Sequence, residues 1–429
     1  MRNSRPTSLR PRIALWGNFG TLNYGNECTL AAAIANLRER LPSAELVAIC
    51  SEPEDTRSRH RISALPIRLA RIDLDQSSVP RPIRWLRLGF TQLRAWLYAW
   101  RACRKLSALV VVGTGILTDD GEGTLGFPYE LMKWTSIAKR RGAKVLFWSV
   151  GAESITGNLA RRFVTRALRI ADYRSYRDEH SRKRLLGIGF DAAASDHIFP
   201  DLAFSLPVRA RASADTHGRT VAVGLYNYRG RGLGDPDDAA AYRAYVEWIC
   251  DFVAWLLGAG YVVRVIIGDG AYDQGVLLDV RKRLADTGAV DARSAYDDEP
   301  AQSFEEVIDQ LADVDLVVAT RFHNVLLALL LGRPVVSISY EAKNDALMAM
   351  MGMARYCQNI DTCDFAKLKE QFRELEANAA GLRPDIEKSA RRFRQQLDDQ
   401  YEQLLKILGQ PSRERLAEPN ELPADAHGD

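Results

Sequence analysis

An arginine and a histidine two residues apart, Arg321 and His323, form the pattern in this sequence that is best suited to chemistry. They lie at a turn between an apolar strand, Leu316 to Ala319, and an apolar helix, Asn324 to Leu331. Free N–H groups and the dipole at the start of a helix favour a bound anion. Unperturbed imidazole titrates near neutral pH, where acid–base catalysis needs it. The pattern therefore predicts an anion-binding site that contains an acid–base group.

This turn belongs to a longer strand–helix–strand unit. Gly332 ends the helix, a second strand runs from Val335 to Ser339, and Lys343 follows that strand. Ligands of open α/β sheets bind at the carboxyl ends of the strands. Lys343 is therefore a candidate third member of the site. The alternative is that Lys343 is a solvent-exposed lysine at the start of a helix, with no role in the site.

The other titratable residues give weaker patterns. The remaining five histidines lie in polar or loop contexts without partners at ligand spacing, so that only His323 is a candidate. The alternative for His323 is a structural role, in which it packs at the start of the helix. Asp119 and Asp120 have no second acidic cluster to complete a metal site. A Ser/His/Asp triad and a GxSxG elbow are also lacking. We therefore expect a site without a metal ion.

Composition limits the class of protein. The chain has 429 residues, 47% of them hydrophobic, with a formal net charge of +3. This length and composition are typical of a globular protein with more than one domain. The nearly balanced charge gives no reason to expect binding to nucleic acid. Six cysteines without CxxC spacing, and a start without an apolar leader, favour the cytoplasm.

Apolar strands alternate with helices and predict an α/β fold. The pattern breaks after about residue 196, in an apparent linker over 196–207, and restarts at about residue 220. We predict two Rossmann-like domains facing a cleft, over 12–207 and 218–382. A C-terminal helix over 383–408 and a disordered tail over 409–429 are expected to follow. The Gly-rich loops at the strand ends match neither GxGxxG nor GxxxxGK[ST].

The stretch from Arg81 to Lys105 has two interpretations. It contains seven arginines or lysines and no acid. Apolar residues recur at helical spacing, namely Leu86, Phe90, Leu93, Leu97 and Trp100. One interpretation is a helix lying on an anionic membrane surface. The other, which we favour because a parallel crossover needs a helix here, is a helix whose apolar face packs on the sheet.

In this order the motifs resemble those of the polysaccharide pyruvyl transferase family, over roughly residues 13–353. That family has a Gly- and Asn-rich first loop ending in G-[DN]-E, a GGG-like loop, RD-x-x-S, P-D, and a closing R-x-H, G-x-P and Y-x-x-K. The matching residues are Gly17, Asn23, Gly25, Asn26, Glu27; Gly113, Thr114, Gly115; Arg177, Asp178, Ser181; Pro200, Asp201; and Arg321, His323, Gly332, Pro334, Tyr340, Lys343. Asn26 replaces the commoner aspartate, and Thr114 replaces a glycine.

The resemblance implies a GT-B-like fold and a transferase of polysaccharide biosynthesis. The activity it implies moves the carbon skeleton of phosphoenolpyruvate onto a sugar, giving a pyruvate ketal and phosphate. Phosphoenolpyruvate carries a carboxylate and a phosphate, and arginine can hold either with two parallel hydrogen bonds. We therefore expect Arg177, Arg321 and Lys343 to bind phosphoenolpyruvate and His323 to be the general acid or base. No cofactor beyond this donor is expected.

The acceptor is expected on the side of the first domain. Its Gly-rich loops carry the candidate residues Asn23, Asn26, Glu27, Thr114 and Gly115. The acceptor would be a glycan or a lipid-linked sugar, and in the second case residues 81–105 could contact the inner membrane face. The sequence does not indicate which sugar accepts the pyruvate, nor the oligomeric state.

Two other functions fit the same scaffold. One is a nucleotide-sugar glycosyltransferase of the GT-B type, and the other is a catalytically idle homologue that binds a glycan. Release of phosphate from phosphoenolpyruvate would distinguish pyruvate transfer from glycosyl transfer. Catalytic turnover would distinguish it from an idle homologue.

Overall fold

The structure is a computed structural model in which most of the chain is described. It describes residues 10–69, 81–119, 123, 125–191, 196–208, 219–228, 238–291 and 295–409, with the side chains of 81–85 and 238 excepted. The predicted tail from residue 410 and most of the connection between the domains lie outside these ranges.

The first sheet has seven strands. They are β1 (Arg12–Trp16), β2 (Glu45–Cys50), β3 (Ser63–Pro66), β4 (Ala108–Val112), β5 (Lys144–Val150), β6 (Tyr173–Tyr176) and β7 (His197–Ile198). Its helices are α1 (Tyr24–Arg40), α2 (Pro53–His60), α3 (Arg81–Ala102), α4 (Phe127–Arg140), α5 (Asn158–Arg169) and α6 (Glu179–Gly187). The strands lie in the order β3-β2-β1-β4-β5-β6-β7, and all neighbours are parallel.

The second sheet has six strands. They are β8 (Thr220–Gly224), β9 (Val262–Ile266), β10 (Tyr296–Asp297), β11 (Leu316–Ala319), β12 (Val335–Ser339) and β13 (Cys357–Asn359). Its helices are α7 (Asp238–Gly258), α8 (Gln274–Asp286), α9 (Phe304–Ala312), α10 (Phe322–Leu330), α11 (Ala342–Met350) and α12 (Phe365–Ile407). The order is β10-β9-β8-β11-β12-β13, again parallel throughout.

Central strands of both sheets are buried along their whole length because helices cover both of their faces. Every residue of β4, β11 and β12 is buried, as expected for central parallel strands. The strand order reverses at β1 and β4 in the first sheet and at β8 and β11 in the second. Such reversals open a crevice beyond the carboxyl ends of the strands. The predicted α/β fold with two Rossmann-like sheets is confirmed.

The loop before α1 fastens the first domain to the second. The Tyr24 N–H donates to the carbonyl of Gly268 at 3.1 Å, and the Gly270 N–H donates to the carbonyl of Leu22 at 2.9 Å. The Tyr24 hydroxyl donates to the carbonyl of Ala301 at 2.6 Å. These bonds fix how far apart the two sets of strand ends lie.

The C-terminal helix differs from the prediction. A separate helix over 383–408 is expected, but α12 is one helix of 43 residues that starts at Phe365 and has Pro384 inside it. Proline removes one backbone hydrogen bond. Leu382 and Ile386, on either side of Pro384, both pack on the core. This packing stabilises the helix on both sides of the proline.

The second half of α12 returns to the first domain. Phe393 packs edge-on against Phe204, with ring centroids 5.0 Å apart, and Tyr401 packs on Trp148 at 4.7 Å. The Gln400 side-chain amide donates to Ser175 Oγ at 2.7 Å. The helix therefore belongs to both domains.

The linker predicted over 196–207 is wrong for its central part. Leu202–Ser205 forms a buried 3₁₀ turn that Asp201 begins, its carboxylate accepting from the Ala203 N–H at 3.0 Å. Its apolar side chains pack into the core that α1 and α12 share. The sequence looks like a linker because the turn is too short to show helical periodicity.

The prediction for α3 is half right. It is the crossover helix between β3 and β4, but its apolar stripe faces solvent, with Leu86 74%, Phe90 62%, Leu93 57%, Leu97 46% and Trp100 41% exposed. Ala99 and Cys103 pack on the domain instead. Periodicity shows that one face is apolar but not what that face contacts. Among the described helices, none is long and apolar enough to cross a bilayer.

Candidate active site

A cavity of about 340 Å³ lies between the two sets of strand ends. Its walls come from the loops after strands of both sheets. From the first domain it is lined by Asn18, Asn23, Asn26, Thr114, Gly115, Ile116, Thr118, Phe127, Glu153 and Arg177. From the second it is lined by Tyr226, Gly268, Arg321, Phe322, His323, Tyr340, Glu341 and Lys343. All predicted site residues except Glu27 are present.

Three helices begin at this cavity. Asn23, Arg321 and Glu341 are the residues that precede α1, α10 and α11. The N-terminus of a helix carries a partial positive charge and free N–H groups. Because residues of all three first turns line the cavity, it is suited to a small ligand with more than one negative charge.

Arg177 is buried in the wall of the first domain. Its guanidinium lies over the ring of Phe322, with Cζ 5.0 Å from the centroid. Its Nε is 3.3 Å from Asp178, and its Nη1 is 3.8 Å from Asp201. Burial opposes the charge, but Asp178, Asp201 and Glu153 raise the pKa above its ordinary value. Arg177 is therefore a fixed cation.

Arg321 is already engaged by a carboxylate. Its Nε and Nη2 each donate to one oxygen of Asp273 at 2.7 Å. Its guanidinium also lies 4.7 Å from the centre of the Tyr226 ring. Arg321 was expected to bind an anion through two parallel hydrogen bonds. Its Nε and Nη2 donors are already bound to Asp273, so they are not free for a second paired contact. Its charge and its remaining Nη1 are what it can offer a ligand.

Lys343 is held between two acids. Its ammonium lies 3.0 Å from Glu153 of the first domain and 2.9 Å from Glu341. Burial opposes its charge, but Glu153 and then other neighbours raise the pKa well above its ordinary value. The structure thus places Lys343 in the cavity wall and not in solvent.

His323 packs against the first domain across the cleft. A Cβ atom added to Gly25 would lie 2.0 Å from its Nδ1, so that only glycine allows this approach. Its Nε2 lies 3.8 Å from the Asp201 carboxylate. Burial, and then Arg177, Lys343 and Arg321, hold the pKa of His323 well below its ordinary value. These surroundings therefore favour the neutral form of the ring.

Asp201 is a candidate acid–base group that the sequence does not assign. Burial raises the pKa of its carboxyl to about 6, although Arg177 and the Ala203 N–H oppose the shift. Neither its Oδ2 nor His323 Nε2 has a hydrogen-bond partner among the described residues. A carboxyl group whose pKa is raised towards neutrality thus faces an imidazole whose pKa is lowered, at 3.8 Å. In the sequence, the only indication that Asp201 belongs to the site is its place in the Pro200-Asp201 motif.

Asp273, behind Arg321, and Tyr226, in the cavity wall, have no signal in their local sequence, whereas Tyr340 belongs to the Y-x-x-K motif. Asp273 follows the end of β9 by seven residues, and only the fold brings it to Arg321. Tyr226 and Tyr340 follow the ends of β8 and β12 and stack with ring centroids 4.4 Å apart. They present an aromatic surface beside the three cations. Glu153 stands out only as the acid of a strand-end loop.

The predicted acceptor loops are brought together, with one exception. Asn23 Oδ1 accepts from the Asn26 N–H at 3.1 Å, and its amide donates to Asp269 at 3.0 Å. Glu27 instead is buried behind the loop, where it accepts from the Gly20 N–H at 2.8 Å. The reason is that α1 begins at Tyr24, so that Glu27 lies within the helix and on its inner side.

Glu27 has a partner in this position, since His60 Nε2 lies 2.7 Å from its carboxylate. Asp119, considered for a metal, accepts from the N–H of Gly157 at 2.7 Å and from that of Thr156 at 3.0 Å. Its role is thus to shape the loop before α5. Among the described residues, no three His, Cys, Asp or Glu side chains are grouped so as to hold a metal ion.

The architecture is that of the GT-B fold. The chain is similar to S. aureus MnaA in its complex with UDP, with a TM-score of 0.60 and 10% identity over 94% of this chain and 99% of that one. It is also similar to Neisseria meningitidis UDP-GlcNAc 2-epimerase bound to UDP-GlcNAc, with a TM-score of 0.54 and 10% identity over 90% and 99% of the two chains. At such identities the likeness concerns the fold alone.

Sequence comparison goes further than the fold. A search of curated proteins finds no match. The sequence model of one family, polysaccharide pyruvyl transferase, matches residues 23–342. That span starts at the residue before α1, ends within the first turn of α11, and contains Arg177, Asp201, Arg321 and His323. Because the match covers most of the chain and both walls of the cavity, the chain belongs to the polysaccharide pyruvyl transferase family.

Proposed function

We propose that this protein transfers the pyruvate skeleton of phosphoenolpyruvate to a sugar of a polysaccharide or its precursor. The products are a pyruvate ketal and inorganic phosphate. The observation that supports this best is one cavity in which Arg177, Arg321 and Lys343 surround a neutral histidine, His323, at the starts of three helices. The family implies a glycan acceptor.

The donor fits the charges of the cavity. Phosphoenolpyruvate has a carboxylate and a phosphate, and the cations lie on both walls, Arg177 on the first domain and Arg321 and Lys343 on the second. Each cation is oriented by acids before the ligand arrives. Little reorganisation is then needed when charge develops during the reaction.

The polar first-domain loops are the proposed acceptor side. Asn18, Asn23, Asn26 and Thr118 line the cavity there and offer amide and hydroxyl groups to sugar hydroxyls. The stacked Tyr226 and Tyr340 form the opposite wall. An acceptor between them would present its hydroxyls to a donor held by the cations.

The proposed reaction has two additions at one carbon. His323, protonated after the donor binds, gives its proton to the methylene carbon, which becomes the methyl group. The first sugar hydroxyl then bonds to the adjacent carbon and loses its proton to the imidazole or to Asp201. The bond from that carbon to the phosphate oxygen breaks, and the second hydroxyl adds there. Its proton leaves with the phosphate, and atoms and charge balance.

Binding of phosphoenolpyruvate is expected to take up on the order of one proton near pH 7. Burial and three cations keep the pKa of His323 low in the empty site. A bound anion offsets those cations and raises the pKa. Between the two values the complex holds more protons, so affinity falls as pH rises through the bound-state pKa. Calorimetry in buffers of different ionisation enthalpy measures the uptake, and net proton release would contradict the proposal.

A direct assay tests the reaction itself. Phosphate release is measured with phosphoenolpyruvate and a panel of glycan acceptors, and nucleotide release is measured with UDP-sugars and the same panel. Acceptor-dependent phosphate release is the expected result. Nucleotide release without phosphate release would favour a glycosyltransferase. Binding of phosphoenolpyruvate without turnover on any acceptor would favour an idle glycan-binding protein.

A further inference from the structure

Helix α3 carries an apolar stripe that nothing in the proposed reaction uses. Five of the fourteen exposed large hydrophobic residues in the described part of the chain lie on this one helix. They are Leu86, Phe90, Leu93, Leu97 and Trp100. Their spacing of four, three, four and three residues places them in a single row along the helix. Surface hydrophobic residues elsewhere are scattered, and a continuous row marks an interaction surface.

The charges around the stripe are all of one sign. Between Arg81 and Lys105 there are seven basic residues and no acid. Arg87, Arg94 and Arg101 recur every seven residues, which keeps them along one border of the row. Arg94 lies 5.8 Å from the centre of the Phe90 ring, and Arg141 lies 4.8 Å from that of Trp100. An apolar stripe bordered by arginines is typical of a helix at an anionic lipid surface.

The neighbouring helices continue this surface. Helix α4 packs between α3 and α5, and α5 contains four arginines and no acid. Leu159 at the start of α5 is exposed as well. The nearest acid of α4, Glu130, is buried and paired with Lys133 at 2.7 Å. The basic character therefore belongs to one whole face of the first domain.

The stripe also leads towards the cavity. Trp96 of α3 donates to the Tyr129 hydroxyl at 2.9 Å, which joins α3 to the first turns of α4. Phe127, the first residue of α4, lines the cavity.

We propose that α3 docks the protein on an anionic lipid bilayer, with its apolar stripe among the acyl chains and its arginines at the headgroups. A second clause rests on the proposed function: the acceptor sugar is lipid-linked and enters the cavity past Phe127. A second copy of the chain fits this face less well. In a symmetric pair the arginine rows would meet each other on helices that carry no acid.

Vesicle sedimentation tests the docking. The protein is expected to bind vesicles of phosphatidylglycerol and phosphatidylethanolamine, and to bind phosphatidylcholine vesicles far less, with binding that weakens as salt is added. Leu93→Glu with Leu97→Glu should weaken binding at least about tenfold, because two charges would enter the bilayer. Leu278→Glu, at an exposed position of α8, is the matched control and should bind as the wild type does.

A second pair of variants tests the charges. The triple change Arg87→Gln, Arg94→Gln and Arg101→Gln should weaken binding to anionic vesicles. Neutralising Lys367, Lys388 and Lys406 on α12 alters the net charge equally and should not. Equal losses in both triples would mean a general charge effect and would overturn the assignment to α3.

Other outcomes are equally decisive. The proposal would be overturned if the wild-type protein did not bind anionic vesicles. It would also be overturned if the Leu93/Leu97 variant bound them as well as the wild type does. Sedimentation velocity that shows a dimer lost in this variant, without vesicle binding, would assign the stripe to a second copy. Phosphate release with a water-soluble acceptor is independent of docking, so that failure of that assay bears on the proposed function alone.

Discussion

Replacing His323 with alanine is expected to lower the rate of phosphate release from phosphoenolpyruvate by about 10²- to 10⁴-fold, the usual contribution of a general acid–base group. The ring lies 3.8 Å from Asp201 and is surrounded by Arg177, Arg321 and Lys343. Its loss removes the proposed proton carrier between donor and acceptor. The measurement is kcat for acceptor-dependent phosphate release, with the thermal midpoint recorded alongside.

The fold should survive this change. His323 Nε2 has no hydrogen-bond partner among the described residues, so truncation leaves no bond broken there. His323→Gln keeps much of the volume but cannot titrate, and it should be nearly as inactive as the alanine variant. His197→Ala, at an exposed position of β7, is the control and should keep full activity. Near wild-type turnover in His323→Ala would refute the assigned role.

Gly25→Ala is expected to lower the same activity by about 10²-fold, since small displacements of a catalytic group can have this effect. The added Cβ would lie 2.0 Å from Nδ1 and 2.3 Å from Cγ of His323, so that the ring must move. The backbone itself gains, because alanine is favoured over glycine inside a helix by about 1 kcal/mol. The expected variant is therefore folded, no less stable within α1, and poorly active.

A matched substitution and a double variant make this prediction specific. Gly381→Ala lies in α12 with nothing within 4 Å of the added atom, and it should be fully active. If Gly25 acts only through the ring, then Gly25→Ala combined with His323→Ala should be no less active than His323→Ala alone. A further loss in the double variant, or wild-type activity in Gly25→Ala, would count against this link between the domains.

The location of the site was predictable because parallel strands bring their carboxyl ends to one edge. Arg321, His323 and Lys343 follow two neighbouring strands, and Arg177 follows a strand of the other sheet, so that alternating apolar and polar segments were enough to place them. The order of the strands, in contrast, is a matter of long-range packing. The strand order decides which loops face each other, and the alternation of apolar and polar segments says little about that order.

The partners of these residues could not be predicted for the same reason. Asp273 and Arg321 are 48 residues apart in sequence yet form a paired hydrogen bond. Asp201 meets His323 only because a short buried turn holds it there. Glu27 was assigned to the cleft loop, but it lies within α1, where the helix turns its side chain to the interior.

The continuous helix α12 has a consequence for how the chain folds during synthesis. Trp148 and Phe204 of the first domain are covered by Tyr401 and Phe393, which are synthesised after every described strand of the second sheet. The first domain is thus synthesised early but closes its core late, after the second domain has emerged. Although domains commonly fold as units in order of synthesis, here the first domain needs the second half of α12 to cover its core. The candidate active-site cleft can therefore be completed only after α12 has been synthesised.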